Sequence, residues 1–198
     1  NRLQMKLEET KLVKLWQETA KVLNGDFSMP FQLYNGGNMN GGIFLFCIRV
    51  NYRTVEVKIE AGILELPLSK NEINGCIITI SAQKKTNETI HLSIWRKDFF
   101  DKILGLSSLK TGYDDFDRVI GLKASRNIER IVPKMFDNKE LRLEIQNERY
   151  RVYNISTNDN FVTIRRKSGL IMQNTAMIEN EYEKFRLFLD GVIDAKIL

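Results

Sequence analysis

Thr111-Gly112-Tyr113-Asp114-Asp115-Phe116-Asp117-Arg118-Val119-Ile120-Gly121-Leu122-Lys123-Ala124-Ser125-Arg126-Asn127-Ile128-Glu129-Arg130-Ile131-Val132-Pro133 is the stretch around which the rest of the chain can be organised. It opens with a turn at Thr111-Gly112 and continues through three carboxylates. Phe116 to Ala124 reads as a strand by alternation, with Phe116 and Leu122 as core anchors and Asp117 at the strand entry. Ser125 or Asn127 then caps a helix whose inner face is Ile128, Ile131, Val132 and Met135. Pro133 has no N–H to donate to the preceding turn, so it must kink or restart that helix. Beyond it, 139–145 stays open between a strand, from the alternation of Leu141, Leu143 and Ile145, and a continued helix, from its good helix formers.

Upstream, Leu12, Leu15, Trp16, Thr19, Val22 and Leu23 share one face of an amphipathic helix expected over Leu7 to Leu23, stopped by Asn24-Gly25. The glycine- and asparagine-rich run from Phe27 to Gly42 lacks the Gly-Lys-Ser/Thr ending of a phosphate loop and leads into a strand, so it reads as a turn. Ile43 to Val50 and Arg53 to Glu60 form an expected hairpin about Asn51-Tyr52, with Val55, Val57 and Ile59 facing inward. Strands are also expected at Cys76 to Ser81 and Ile90 to Trp95, with a polar turn over Lys84 to Glu88. A short helix is expected at Lys97 to Leu106. Arg149 to Ser156 and Phe161 to Arg166 pair across Asn158-Asp159-Asn160. Ile178, Tyr182, Phe185, Leu189 and Val192 make the stripe of a closing helix that starts after Asn174 or Thr175; Phe188 flanks it, and its exposure would favour a homodimer.

These elements predict an α+β fold, a mainly antiparallel sheet of five to seven strands with amphipathic helices packed on it. The expected organisation is a single domain over 1–198, with two packed halves meeting near 97–111 as the variant arrangement. A chain of 198 residues with 43% hydrophobic and 28% charged residues is long enough for a sizeable core. Its net charge of +5 is a mild excess that a plain solvated surface can carry, and it permits a nucleic-acid or anionic-membrane role without demanding one. Cys47 and Cys76 read as buried free thiols of a reducing compartment, and a disulfide between them is the alternative. No apolar run approaches the roughly 20 residues of a spanning helix. Because the chain begins at Asn1, an upstream signal, tag or membrane anchor is expected to be missing.

No cofactor site is legible, and no catalytic residue is assigned. His91, Ser81 and Ser93 lie on strand-like runs without a Gly-x-Ser-x-Gly elbow. Asp114, Asp115 and Asp117 form the densest carboxylate cluster; turn capping and strand entry are its expected roles, and metal ligation is the alternative, although the Asp-x-Asp-x-Asp-Gly pattern is absent and in an extended segment only Asp115 and Asp117 share a face. Trp95-Arg96-Lys97, Arg165-Arg166-Lys167 and the Arg149, Tyr150, Arg151, Tyr153 strand place cations beside aromatics, as a nucleic-acid-binding sheet would, but the charges are interleaved with Glu and Asp and no RRM, KH or OB signature is legible, so a core or edge role for the aromatics is the simpler account.

Thr111-Gly112-Tyr113, Phe116-Asp117-Arg118-Val119-Ile120-Gly121-Leu122, Ser125 and Ile131-Val132-Pro133 together resemble a bacterial family of unknown function. Its pattern is a Thr-Gly-Asp-like turn, Phe-Asp-x-x-Phe-x-Val, a Ser or Asp helix start and Leu-Leu-Thr-Pro. Trp16-Gln17-Glu18-Thr19-Ala20 resembles its upstream Trp-x-x-Leu-Ala helix. The chain departs from the pattern at Tyr113, Ile120 and Val132. The resemblance implies a structural motif of Gly112, Phe116, Asp117, Leu122 and Pro133, a helix continuing past Pro133 to about Leu143, and a soluble domain that often follows transmembrane helices; it supplies no catalytic residues. The expected function is a non-enzymatic binding or scaffolding domain with a protein partner, in the cytoplasm or at the cytoplasmic face of a membrane through a segment absent from this chain. The alternatives are a nucleic-acid-binding domain and a metal-dependent hydrolase using Asp114, Asp115 and Asp117.

Overall fold

The computed structural model describes residues 11–36, 39–64, 78–98, 109–148, 153–167 and 172–197. Alternating apolar residues make the strands and 3.6-residue periodicity makes the longer helices, giving the expected α+β class with antiparallel pairing in every strand register below. Nine strands are present among the described residues, above the expected five to seven. The chain divides into two compact units, residues 1–80 with 168–182 and residues 81–167 with 183–198.

In the first unit, helix α1 (Lys11–Val22) precedes β1 (Asp26–Ser28), β2 (Phe31–Gly36), β3 (Met39–Tyr52) and β4 (Val55–Leu64). Strand β3 pairs with β4 along one edge, and on its other edge with β2 near its start and β1 near its end. The buried face of α1 is Leu12, Val13, Trp16, Thr19 and Ala20, while Val22 is exposed. Trp16 meets Phe46 of β3 with ring centroids 5.5 Å apart. Burying an aromatic pair adds a geometric preference of about 1 kcal/mol to the area term. Asn24 takes the left-handed conformation that ends the helix.

Two readings of this unit change. Phe27 to Gly42 is mostly strand rather than a connection: β2 and the start of β3 make a hairpin, and the asparagines and glycines gather toward its tip. The next hairpin turns at Arg53-Thr54 instead of Asn51-Tyr52, because Tyr52 pairs with Val55 and Arg53 has the positive φ a tight turn needs. Val55, Val57 and Ile59 are buried as the alternation requires.

In the second unit the strand order is β5 (Thr79–Lys85, from Ser81 onward), β9 (Phe161–Lys167), β8 (Tyr153–Asn158), β6 (His91–Arg96) and β7 (Ile120–Ala124). Helices α2 (Asp114–Val119), α3 (Val132–Met135), α4 (Lys139–Asn147) and the later part of α5 (Thr175–Asp194) accompany it. Leu92, Ile94, Leu122, Ile155, Val162 and Ile164 project to one face, where α5 contributes Phe185, Phe188 and Leu189. Phe188 is fully buried and stacks on Tyr153 at 4.0 Å, so the exposed flank that would have favoured a homodimer is filled. The stripe itself is as expected, and the Asn174 side chain accepts from the Met177 N–H at the helix start.

The opening segment is not a strand from Phe116. Asp114–Val119 is helical, and β7 begins only at Ile120. Three carboxylates in a first turn suit the positive end of a helix dipole, and Phe116 and Ile120 are spaced for a helical turn, which a period-two reading hides. The helix expected from Ser125 or Asn127 is a run of turns followed by the single turn of α3, with Pro133 at its first positions, where no N–H is needed. The open segment at 139–145 is helical: Asn138 caps α4 by accepting from the N–H groups of Glu140 and Leu141. The helix expected at Lys97 to Leu106 and the Cys76 strand entry fall largely outside the described residues.

Candidate functional site

Strand pleating decides where the polar residues of the second unit go. With the apolar positions turned inward, the outward positions are Gln83 and Lys85 of β5, Phe161, Thr163, Arg165 and Lys167 of β9, Asn154, Ser156 and Asn158 of β8, His91, Ser93 and Trp95 of β6, and Gly121 and Lys123 of β7. No carboxylate occupies any of these positions, while Lys85, Lys123, Arg165 and Lys167 are exposed. The register aligns them in rows across the sheet. Lys123, Ser93, Asn154 and Arg165 make one row; His91, Ser156 and Thr163 make the next, extended by a 3.2 Å hydrogen bond from the Gln83 amide to the Thr163 hydroxyl. A groove of about 420 Å³ lies here, lined by Gln83, Ser156, Thr163, Arg165 and Phe161 among others, with Asp159 of the β8–β9 turn also bordering it.

Two aromatics belong to this face. Phe161 is 45% exposed. Trp95 is half-buried because its indole lies across Gly121, where an added Cβ would come within 2.4 Å of the ring. His91 Nε2 stands 2.9 Å from Ser93 Oγ. Side chains at i and i+2 leave a strand on the same side, so the pleat alone brings these two together.

The inner side of the same hairpin holds opposite chemistry. Arg166 is 1% exposed and donates to Glu148 Oε1 at 2.6 Å, with its guanidinium 4.9 Å from the Tyr153 ring centre. Lys184 joins them, 3.3 Å from Glu144 and 3.5 Å from Glu148. Burial raises the Glu144 pKa against the opposing pull of Lys184. Burial also pushes Glu148 upward, but the hydrogen bond and charge of Arg166 outweigh it, and its pKa ends below the usual carboxylate value. This network escaped the sequence reading, in which Arg165, Arg166 and Lys167 formed one basic patch. Its signal was available: Arg166 occupies an inward parity on β9, and Glu144 and Glu148 are spaced for one side of a helix end.

The other basic triplet is also divided. Trp95 faces outward, whereas Arg96 donates to the Gln146 carbonyl and Lys97 to the Asp117 carbonyl, each at 2.6 Å. Tyr153 is buried, and its hydroxyl donates to the Lys184 carbonyl. Arg149, Tyr150 and Arg151 lie outside the described residues.

Asp117, the ambiguous member of the acidic cluster, is buried and holds the turn before it. Its carboxylate accepts from the Thr111 N–H at 3.0 Å, the Thr111 hydroxyl at 2.9 Å and the Gly112 N–H at 3.2 Å. Gly112 has φ +90°, which side-chain-bearing residues rarely adopt. Asp115 is exposed and pairs with Arg118 at 3.0 Å, and Asp114 is exposed. The expected sharing of a face by Asp115 and Asp117 does not occur, because these residues are helical. Among the described residues, no group of three or more His, Cys, Asp or Glu is placed to hold a metal ion. Phe116 and Leu122 are buried, Phe116 against Phe136 with ring centroids 4.9 Å apart. Phe116, Asp117 and Leu122 therefore anchor the junction in the core, while Gly112 is exposed and Pro133 half-buried.

In the first unit Cys47 is a buried free thiol, its pKa raised by burial and by Glu60, which disfavours the reactive thiolate. Cys76 lies outside the described residues. No helix among the described residues is long and apolar enough to cross a membrane.

Compared with protein-family models, curated proteins and solved structures, the chain matches none.

Proposed function

We propose that this chain is a non-enzymatic binding domain whose working surface is the outward face of the β5-β9-β8-β6-β7 sheet, and that the face takes an anionic partner. The observation that carries this is the separation of charge. Lys85, Lys123, Arg165 and Lys167 share the outward face without a carboxylate among the strand positions, while Glu144 and Glu148 belong to the inner side. Clustered cations without interleaved acids raise the local positive potential and draw anions from a distance, whereas a mixed face cancels its own field. The hydroxyl and amide groups of Ser156, Thr163, Asn154 and Gln83 then offer donors and acceptors that can fix a ligand once it has arrived.

Retention on immobilised heparin tests the reading. The double variant Lys123→Glu/Arg165→Glu is expected to elute at clearly lower salt than wild type. Arg49→Glu/Lys58→Glu changes net charge equally in the first unit and is expected to elute close to wild type. Equal losses in the two variants would mean that only net charge matters, and the proposal would fall.

A further inference from the structure

We infer that the anionic partner is a single-stranded nucleic acid, laid across the strands with its phosphates on the cations and a base on Phe161. The inference rests on the anion-binding reading above and goes further, because cations alone do not choose among polyanions. Phe161 does. It is the one aromatic among the large hydrophobics exposed in the described residues, and it sits on the carboxylate-free face beside the groove. A simple polyanion gains nothing from an apolar ring, but every nucleobase has a π-face that can stack on one.

The polar rows supply the complement. Asn154, Ser156, Thr163 and Gln83 present donors and acceptors at the spacing of adjacent strands, suited to the edges of unpaired bases. Lys123 and Arg165 end the same row, three strand spacings or roughly 14 Å apart, so one strand crossing the sheet can place phosphates at both. A duplex is a poor occupant. Its major groove admits a helix or a two-stranded ribbon, not the face of a five-stranded sheet, and its stacked bases are closed to Phe161.

The test uses the full chain and a fluorescein-labelled 15-nucleotide oligothymidylate, followed by fluorescence anisotropy over a range of salt concentrations. The oligonucleotide is expected to bind at least roughly tenfold tighter than a duplex of equal length. Phe161→Ala should weaken it by about fivefold or more, the low end of one stacked base, and leave heparin retention unchanged. Phe161→Tyr keeps the ring and should keep the affinity. Lys123→Glu/Arg165→Glu should reduce the slope of log K against log salt by about 1.4, the counterion release of two single-strand phosphates.

Equal binding of duplex and single strand, or a Phe161→Ala protein that melts and binds like wild type, overturns the single-strand inference. Heparin retention through the same cations would then leave the anion-binding reading standing. Preferential binding of polyglutamate over the oligonucleotide likewise overturns the inference, in favour of an acidic polypeptide. A Lys123→Glu/Arg165→Glu variant that still binds heparin as wild type does removes both readings.

Discussion

The sheet faces of the two units differ in how they spend their charges. In the first unit the outward positions of β1, β3 and β4 include Asp26, Arg49, Asn51, Glu56, Lys58 and Glu60, with Asp26 registered against Arg49, Arg49 against Lys58, and Lys58 3.8 Å from Glu56. Opposite signs stand side by side there. In the second unit the outward strand positions carry cations without carboxylates, and the acids facing the sheet lie on its inner side, bound to Arg166 and Lys184. Composition alone therefore says little about a binding surface. The side of the pleat on which each sign falls decides whether the field accumulates or cancels.

The sharpest way to break the comparison is to attack neighbours of opposite parity. Arg166→Ala takes the guanidinium from the half-buried Glu148, which keeps Lys184 at 3.5 Å, and is expected to cost about 3 kcal/mol, the low end of the penalty for breaking a buried ion pair. Urea unfolding measures it. An Arg166 variant as stable as wild type would mean that the inner network contributes nothing and that the two faces of the hairpin are equivalent.

Next in size is Gly121→Ala, which sets a methyl against the Trp95 indole and is expected to cost about 1–3 kcal/mol through overpacking. A shifted tryptophan emission should accompany the lower melting temperature, and any loss of oligonucleotide affinity would join Trp95 to the binding face. Unchanged emission and stability would contradict the close packing on which the shape of that face depends.

Titration probes the inner network more gently. The lowered pKa of Glu148 means that its folded form holds fewer protons than its unfolded form between the two values. Its contribution is therefore fully present above the ordinary carboxylate pKa and is lost as pH falls through the lower folded value. Glu144 has the opposite sign: its raised pKa favours the folded state as the pH falls from its folded value toward the ordinary one. Glu148→Gln is expected to be less stable than wild type at pH 7 and to lose less on acidification, in thermal melts between pH 7 and pH 3. Parallel pH profiles would show that Arg166 does not depend on the Glu148 charge.

The smallest stability effect belongs to the outward residues. Arg165→Ala and Lys123→Ala should each stay within about 0.5 kcal/mol of wild type, as exposed positions generally do, while oligonucleotide affinity falls. A large loss of stability in either would place it in the structural half of the comparison instead.

Much of the fold was legible. Alternation at Val55, Val57 and Ile59 and the helical stripe from Ile178 to Val192 identified buried faces, because a side chain's direction there follows from local period alone. Phe116-Asp117-Arg118-Val119 misled because apolar residues at helical spacing also satisfy part of an alternating pattern, and the carboxylates that favour a helix start were read as capping a turn and entering a strand. Asp117 divides the two readings: its turn-capping role was legible, its place in a helix was not. Its partners, Thr111 and Gly112, are close in sequence, yet a period-two reading turns the chain away from the geometry in which it caps them. The candidate face was less legible, because it needs the order of β5, β9, β8, β6 and β7. Once that order is known, separate residues at 83, 123, 154 and 165 become neighbours, and the basic triplet at 165–167 separates into two outward cations and one inward ion pair.

The two-residue turn at Asp159-Asn160 sets which of those arginines is which. Both residues are left-handed, at φ 48° and 63°, and the Asn160 carbonyl accepts from the Thr86 N–H at 2.8 Å. A side-chain period of two makes the hairpin behave like a reading frame: losing or gaining one residue at this tip shifts every downstream position of β9 to the other side of the sheet. Arg165 and Lys167 would turn into the core and Arg166 into solvent. This short, polar, exposed loop is therefore expected to tolerate changes of residue far better than changes of length, contrary to the usual permissiveness of loop tips.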